Sequence, residues 1–262
     1  MTTAPWRGRG LVAPDFDALV AEGAAVPLGG WDFSWFEGRA TEERPPWGYA
    51  RLLALRLAQA HAALDIQTGG GELLTESPRR PPRLVATESW PPNRAIARHA
   101  LGRVGGWVVA AADDEGLPFR AASFDLVVSR HPTVTVWTEI SRVLQPGGVY
   151  LSQQVGAGSV RELTDFMMGP QPVSEARSVP RAVRRAEDAG LTVVEVRAAS
   201  LRTVFFDIAA VTHFLRKVPW TVPGFTVERY RDRLAALHEQ IQTDGCFVAR
   251  AERFLVEVRK PA

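Results

Sequence analysis

The segment Ala63-Leu64-Asp65-Ile66-Gln67-Thr68-Gly69-Gly70-Gly71-Glu72 constrains this chain more than any other. A short apolar run ends in an acidic residue and breaks into three consecutive glycines. Such a run reads as a buried parallel strand that turns tightly into a helix. The glycines allow positive φ in the turn and let the backbone approach a ligand with no side chains in the way. A second short strand, Arg83-Leu84-Val85-Ala86-Thr87, follows and ends in Glu88. An acidic side chain at that place can accept hydrogen bonds from ribose hydroxyls.

The rest of the chain extends this pattern. Residues 1–45 are irregular and rich in Gly, Pro and Trp, with one short helical piece near Asp15–Glu22. Pro45-Pro46 starts a helix from Trp47 to about Ala60, whose apolar face is Leu52, Leu53, Leu55, Leu57 and Ala58. Strands are expected at Ala62–Ile66, Arg83–Thr87, Trp107–Ala111, Phe124–Ser129, Val149–Gln153 and Thr192–Val196. Helices are expected through Leu73-Leu74, from Pro92 through Ala100, over Thr135–Leu144 and over Ser178–Ala189. A final strand, Phe247–Val258, alternates in a way that suits an antiparallel strand at the sheet's end. The alternation argues for a seven-stranded, mostly parallel sheet with helices on both faces. An excursion over about 205–243 carries Phe205, Phe206, His213, Phe214, Trp220, Phe225 and Tyr230. It holds two expected helices, Asp207–Lys217 and Val227–Gln242, parted by Pro219–Gly224. An insertion that long in a compact sheet is usually functional.

Composition bounds the function. A chain of 262 residues can bury a sizeable core, and 46% hydrophobic with 23% charged residues is ordinary for a globular protein. The organisation expected is an arm or cap over 1–46 and a main domain over 47–262. Cys246 is the only cysteine, which excludes an intramolecular disulfide and a cysteine metal cluster. Met1 to Gly10 has no apolar leader pattern and no window reaches a membrane span, so a cytoplasmic protein, monomeric or homodimeric, is expected. Lys217 and Lys260 are the only lysines; arginines carry the rest of the positive charge, interleaved with acids. A nucleic-acid binder would concentrate that charge. The densest run, Arg79-Arg80-Pro81-Pro82-Arg83, reads as the cap of a loop between helix and strand, with phosphate binding as the alternative.

Four motifs in order give a specific resemblance over roughly residues 60 to 155. The first is Asp65 with Gly69 and Gly71 in a Gly-x-Gly-x-Gly-like turn whose first glycine is replaced by Gln67. The second is Glu88. The third is Asp113-Asp114-Glu115-Gly116-Leu117-Pro118-Phe119 followed by Ser123-Phe124-Asp125. The fourth is Glu139-Ile140-Ser141-Arg142-Val143-Leu144-Gln145-Pro146-Gly147-Gly148. The chain resembles a class I S-adenosylmethionine-dependent methyltransferase with a Rossmann-like fold, of the type 11-like kind. A nicotinamide-binding domain would lack the Leu-Pro-Phe and Pro-Gly-Gly pair.

The resemblance implies S-adenosylmethionine as cofactor and no metal. Its site would be built from Asp65, Gln67, Thr68, Gly69, Gly70, Gly71, Glu88, Asp113 or its fallback Asp114, and Ser129. Glu88 would hold the ribose and Asp113 the adenine amine. Asp65 can support the cofactor or simply cap the turn; Gln67 can reach the methionine portion. The acceptor should meet the end of the fourth expected strand, Ser129-Arg130-His131-Pro132, because ligands bind outside the carboxyl ends of parallel strands. No Asn/Asp-Pro-Pro-Tyr signature stands there. His131 is a candidate base or acceptor-orienting group, or a histidine bonded to a nearby carbonyl. His213 is a second candidate, or a filler of the lid's core. Trp31, Phe33, Trp35 and Phe36 can close over a ligand or form a small satellite core; Arg130, Phe214 and Trp220 complete the expected acceptor side. Three functions fit: a methyltransferase for a small, partly apolar acceptor (at O or N), an RNA methyltransferase, and a binding protein that keeps the cofactor pocket without catalysis.

Overall fold

A computed structural model describes residues 15–29 and 33–262. Trp31 and the segment Met1–Gly10 lie outside the described residues. The elements are α1 (Phe16–Ala25), β1 (Ala40–Glu42), α2 (Tyr49–Leu57), β2 (Ala62–Asp65), α3 (Glu72–Glu76), β3 (Arg83–Thr87), α4 (Pro91–Gly102), β4 (Trp107–Val109), β5 (Phe124–Arg130), α5 (Trp137–Val143), β6 (Leu144–Val155), α6 (Arg161–Met168), α7 (Val179–Asp188), β7 (Thr192–Phe205), α8 (Ile208–Lys217), α9 (Arg231–Asp244) and β8 (Phe247–Arg259).

One sheet runs β1-β7-β8-β6-β5-β2-β3-β4. The pairs β3–β4, β2–β3, β2–β5 and β5–β6 are parallel; β6–β8, β7–β8 and β1–β7 are antiparallel. The Rossmann-like, mostly parallel reading is borne out, with two differences. The sheet has eight strands, because Ala40–Glu42 pairs with Thr203–Phe205. That strand is three residues of Ala, Thr and Glu, too short and too polar to show a period. The last strand is antiparallel as expected, but it lies between β6 and β7 rather than at the end of the sheet. Its second half, Phe254 to Val258, is buried at every position, as an interior strand requires.

Packing divides into three bodies. On one sheet face, Trp137, Ile140 and Val143 of α5 and Ala186 of α7 close over Phe124, Val127, Tyr150 and Val256. On the other, Leu53 and Leu57 of α2, Leu74 of α3 and Leu101 of α4 cover Ala63, Leu126, Val128 and Leu255. The third core gathers the insertion: α8 and α9 pack with Leu19 and Val20 of α1, Leu163 and Met167 of α6, and Phe205 and Phe247 from the facing strand ends. Helix α1 lies so close to α8 that a Cβ on Gly23 would stand 2.3 Å from the carbonyl oxygen of Ala209. The N-terminal arm is therefore part of the insertion's core and of the sheet edge. Helix α6 was absent from the sequence reading, although Leu163, Phe166 and Met167 recur at i, i+3 and i+4.

Candidate active site

The carboxyl ends of β2, β3 and β5 open into one cleft of about 1240 Å³ that continues beneath the insertion. That exceeds the roughly 300–1,000 Å³ of a single small-ligand pocket. Asp65, Gln67, Thr68, Gly69, Glu72, Glu88, Asn93 and Asp113 line its sheet side; Phe36, Arg130, His131, Phe214 and Trp220 line the remainder.

The glycine turn is built as its sequence requires, with a twist at its first position. Gln67 stands where the resemblance expects glycine and still takes the left-handed conformation, φ 58°. Such a backbone costs a non-glycine residue about 1–2 kcal/mol. Its side chain supplies compensation: Oε1 accepts from the Thr133 N–H (2.6 Å), and Nε2 donates to the Val134 carbonyl (2.8 Å). The Thr133 hydroxyl reaches Asp113 Oδ2 at 2.9 Å. Gln67 thus ties the glycine turn to the loop after β5 and, through Thr133, to Asp113. Its amide is committed to this tie.

Gly69 and Gly71 also take positive φ, 66° and 81°. Gly69 lines the cleft, and its N–H donates to Glu88 Oε2 at 2.8 Å. Gly71 faces away from the cleft: a Cβ there would meet Leu101 Cγ at 3.3 Å and Ala97 Cα at 3.8 Å. The need for glycine at 71 is the approach of α4, not of a ligand. Gly70 is buried beside the Glu72 carboxylate and does not line the cleft.

Acid dominates this end. Asp65 is buried and accepts from the Thr68 hydroxyl at 2.7 Å. Burial pushes its carboxyl up to about 7, the Thr68 bond opposes the rise, and Glu88 and Glu72 add to it. Glu88 is buried and raised for the same first reason, partly offset by N–H bonds from Trp90 and Gly69, with Asp113 raising it further. Asn93 Oδ1 is buried in the same wall with no hydrogen-bond partner among the described residues. A buried acceptor without a donor, next to carboxylates that burial holds toward neutrality, fits a ligand that brings hydroxyl donors and positive charge. Asp114 is exposed and does not line the cleft, while Asp113 does.

The third and fourth motifs lock to each other. Glu139 Oε2 accepts from the Leu117 N–H at 2.6 Å, and Arg142 pairs with Glu139 while donating to the carbonyls of Leu117 (2.8 Å) and Phe119 (2.7 Å). The Arg142 bonds hold the Glu139 carboxyl below its ordinary range. This clamp fixes the loop that presents Asp113. Ser129, expected at the cofactor, is buried and hydrogen-bonds the Tyr150 hydroxyl (2.7 Å) and Ser152 (2.9 Å), and its carbonyl accepts from Tyr49. It lines only a small separate cavity of about 10 Å³ behind Asp113.

His131 stands at the cleft with φ 54°, the second strained non-glycine residue beside the glycine turn. Its Nε2 lies 2.9 Å from Gln153 Nε2, and Gln153 Oε1 accepts from the Trp47 indole at 2.7 Å. An indole N–H only donates, so the Gln153 oxygen faces Trp47 and its NH₂ faces His131. His131 Nε2 is then the acceptor and Nδ1 carries the proton, an assignment made from the network. Burial, Arg253 and Arg130 hold the ring well below the ordinary histidine range, hence neutral. Tyr49, Asn93 and Gln153 escaped the sequence reading; the spacing of Trp47 and Gln153 has no local signal.

His213 is buried in the insertion's core, ring to ring with Phe36 (5.0 Å) and Trp35 (5.1 Å), and does not line the cleft. Burial lowers it to about 4. Trp35 packs in the same core beneath the Arg39 guanidinium (4.7 Å), whereas Phe36 reaches the cleft. Phe214 stacks edge-on with Phe205, and Trp220 lies under Arg177. The insertion and the cleft share one side of the sheet. Among the described residues no helix is long and apolar enough to cross a membrane, and no group of His, Cys, Asp and Glu could hold a metal.

Comparison with known proteins agrees with this architecture. Residues 64–152 match the family described as Methyltransferase domain. A curated relative, malonyl-[acyl-carrier protein] O-methyltransferase of Geobacter sulfurreducens, is 33% identical over 169 residues. The match takes in 60% of this chain and spans 61% of that protein's length. Among solved structures, a candidate methyltransferase from Bacillus halodurans C-125 aligns with TM-score 0.57 at 19% identity, over 80% of this chain and 98% of that one. The YcgJ protein of Bacillus subtilis aligns with TM-score 0.58 at 16% identity, over 82% and 98%.

Proposed function

We propose that this chain is a class I, S-adenosylmethionine-dependent methyltransferase that methylates a small, partly apolar acceptor at oxygen or nitrogen beneath the insertion; the match of residues 64–152 to the family described as Methyltransferase domain supports the reading. The observation that carries this reading is the single cleft that joins the acidic glycine turn to an aromatic roof. S-adenosylmethionine supplies a methyl group already activated on a sulfonium. The chain's own work is then to bind, align and exclude water.

Glu88 keeps lone pairs for ribose hydroxyls beside the two N–H bonds it accepts, and Asn93 Oδ1 offers a further acceptor. Asp65 and Glu72 supply negative charge where a cation is to be held. Because Gln153 occupies its Nε2, His131 acts as an Nδ1–H donor that orients the acceptor; an acceptor that enters already deprotonated suits it. Phe36, Phe214 and Trp220 close the acceptor side. The O-methyltransferase activity of the Geobacter relative favours oxygen as the methylated atom. A roof with room for a small molecule argues against a duplex RNA. The tie from Gln67 to Asp113 keeps the cofactor end in shape without its first glycine, which argues against a relic pocket.

Calorimetry with S-adenosylhomocysteine should show micromolar binding or better, near −8 kcal/mol. Glu88→Ala should cost about 1.5–3 kcal/mol of it by removing a charged acceptor. A metabolite extract incubated with enzyme and labelled cofactor should yield a product heavier by one methyl group. Absence of cofactor binding by the wild-type protein sinks the reading.

A further inference from the structure

The roofed part of the cleft carries arginines that no carboxylate among the described residues pairs with. Two arginines of the cleft are matched: Arg253 pairs with Glu42 at 3.0 Å and Arg161 with Asp165 at 2.9 Å. Three are not. Arg177 is half-buried, and among the described residues no carboxylate pairs with it; its guanidinium carbon stands 5.6 Å from the centre of the Trp220 ring. Burial alone pulls it below the ordinary arginine range. Arg216 gives Nη1 to the carbonyls of Gly23 (2.9 Å) and Val26 (3.0 Å) at the end of α1, again with no acid. Arg130 projects at the end of β5, beside His131, with no acid partner among the described residues.

Their placement is specific. The carbonyl of Arg177 accepts from the Ala157 N–H just past β6, so Arg177 stands over the end of β6 as Arg130 stands at the end of β5. Those strands are neighbours; Arg130 is in register with Gln153, and Ala157 lies four residues further on, so the two arginines flank one stretch of the cleft, which both line. A guanidinium kept half-dry without a counter-charge is costly, and a planar two-oxygen anion is the partner its donor fork fits. Phe214 and Trp220 offer an apolar wall beside it.

We infer that the acceptor is an amphipathic anion whose oxyanion group, a carboxylate or a phosphate, is held by Arg177 and Arg130 while its apolar body lies against Phe214 and Trp220. This rests on the reading of the roofed half as the acceptor site. The field across the cleft then sorts its two ligands: the cationic end of the cofactor goes to Asp65, Glu72 and Glu88, and the anion goes to the roof. The oxyanion is a handle, and the bond that forms lies elsewhere on the acceptor.

The test uses the full chain and three probes by calorimetry: phenylacetate, phenyl phosphate and neutral phenylacetamide. At least one anion should bind the wild type about tenfold or more tightly than the amide. Arg177→Gln and Arg130→Gln should each weaken that anion about tenfold, while Arg197→Gln, an exposed arginine paired with Glu195 away from the cleft, should not. Whether phenylacetate or phenyl phosphate binds better identifies the group. No binding by either anion, equal binding by the amide, or undiminished binding in either variant overturns the proposal. S-adenosylhomocysteine is titrated separately: if it fails to bind the wild type while the anions behave as expected, the methyltransferase reading falls and the oxyanion site stands.

Discussion

Replacing Asp65 by asparagine should change how the ligand-free protein responds to pH. The buried carboxyl rises from its ordinary 3.8 to about 7, chiefly through burial, with Glu88 and Glu72 adding to the rise and the Thr68 hydroxyl opposing it. The folded protein thus holds this proton more tightly than the unfolded chain does. The group's contribution to stability is complete well below pH 3.8, where both states are protonated, and is lost progressively from there until pH has climbed through about 7. A rise of roughly 3 pH units at 1.36 kcal/mol each makes that loss about 4 kcal/mol. Asparagine never ionises and still accepts from Thr68. The stability of Asp65→Asn minus that of the wild type should therefore grow by about 4 kcal/mol between pH 4 and pH 8, read from urea unfolding followed by tryptophan fluorescence at each pH. Taking the difference removes the other titrating groups, apart from the coupled Glu88 and Glu72. A cation at the glycine turn should favour the ionised form, so cofactor affinity of the wild type should rise about tenfold from pH 6 to pH 8 and that of the variant should stay flat. Two parallel stability curves would refute the argument, because they would mean that Asp65 titrates alike in the folded and unfolded protein.

Three further outcomes follow from the same geometry. Gly69→Val should abolish S-adenosylhomocysteine binding with the fold retained, whereas Gly71→Val should lower the melting temperature outright, since its side chain meets Leu101 at φ 81°; calorimetry and thermal melts on both variants separate the two roles. Gly23→Ala should destabilise the protein by about 1–3 kcal/mol in chemical denaturation, as the added methyl would stand 2.3 Å from the Ala209 carbonyl oxygen and must push α1 from α8. Gln153→Leu should free His131 Nε2, so the ¹⁵N shifts of the ring, diagnostic of Nδ1–H in the wild type, should show mixed tautomers; unchanged shifts count against the relay from Trp47.

The elements that the sequence displayed are those whose signal is local. Strand β3 runs over the residues expected, and α2, α4, α5, α7 and α8 sit within a few residues of their expected ends, because apolar period, proline starts and glycine stops act within a turn or two. Strand β1 had no such signal: it is held by Val204 and its neighbours, far along the chain. The place of β8 depends on which strands are left unpaired, a property of the whole sheet. The site divides in the same way. Asp65, Gly69, Glu88 and Asp113 are readable because a strand and the turn after it place all four at one edge. Gly71 sits in the same motif, yet its constraint comes from Leu101 on another helix. His131 was visible as a residue at a strand end, but its tautomer is set by Gln153 and Trp47, which only the folded chain brings beside it. For His213 the sequence left two roles open, a catalytic candidate or a filler of the lid's core, and its ring packs inside the core against Phe36 and Trp35, neighbours that only folding supplies.

The interior position of β8 has a consequence for the order of assembly. Strand β7 has thirteen residue pairings with β8, and β6 has seven. Until β8 is in place, β6 and β7 each present an open edge, and α8 and α9 have no Phe247 or Ala249 to close on. The backbone pairing around the glycine turn needs none of this, although Leu255 and Val256 of β8 later complete its two packed faces: β2, β3, β4 and β5 pair in parallel among themselves, from residues made early. Pairing that waits on the most distant partner carries the largest loop-closure cost and is the slow part of folding. During synthesis the glycine turn can therefore form well before the roof, and the roofed half is completed in one late step, when a single strand slides between two that have been waiting for it.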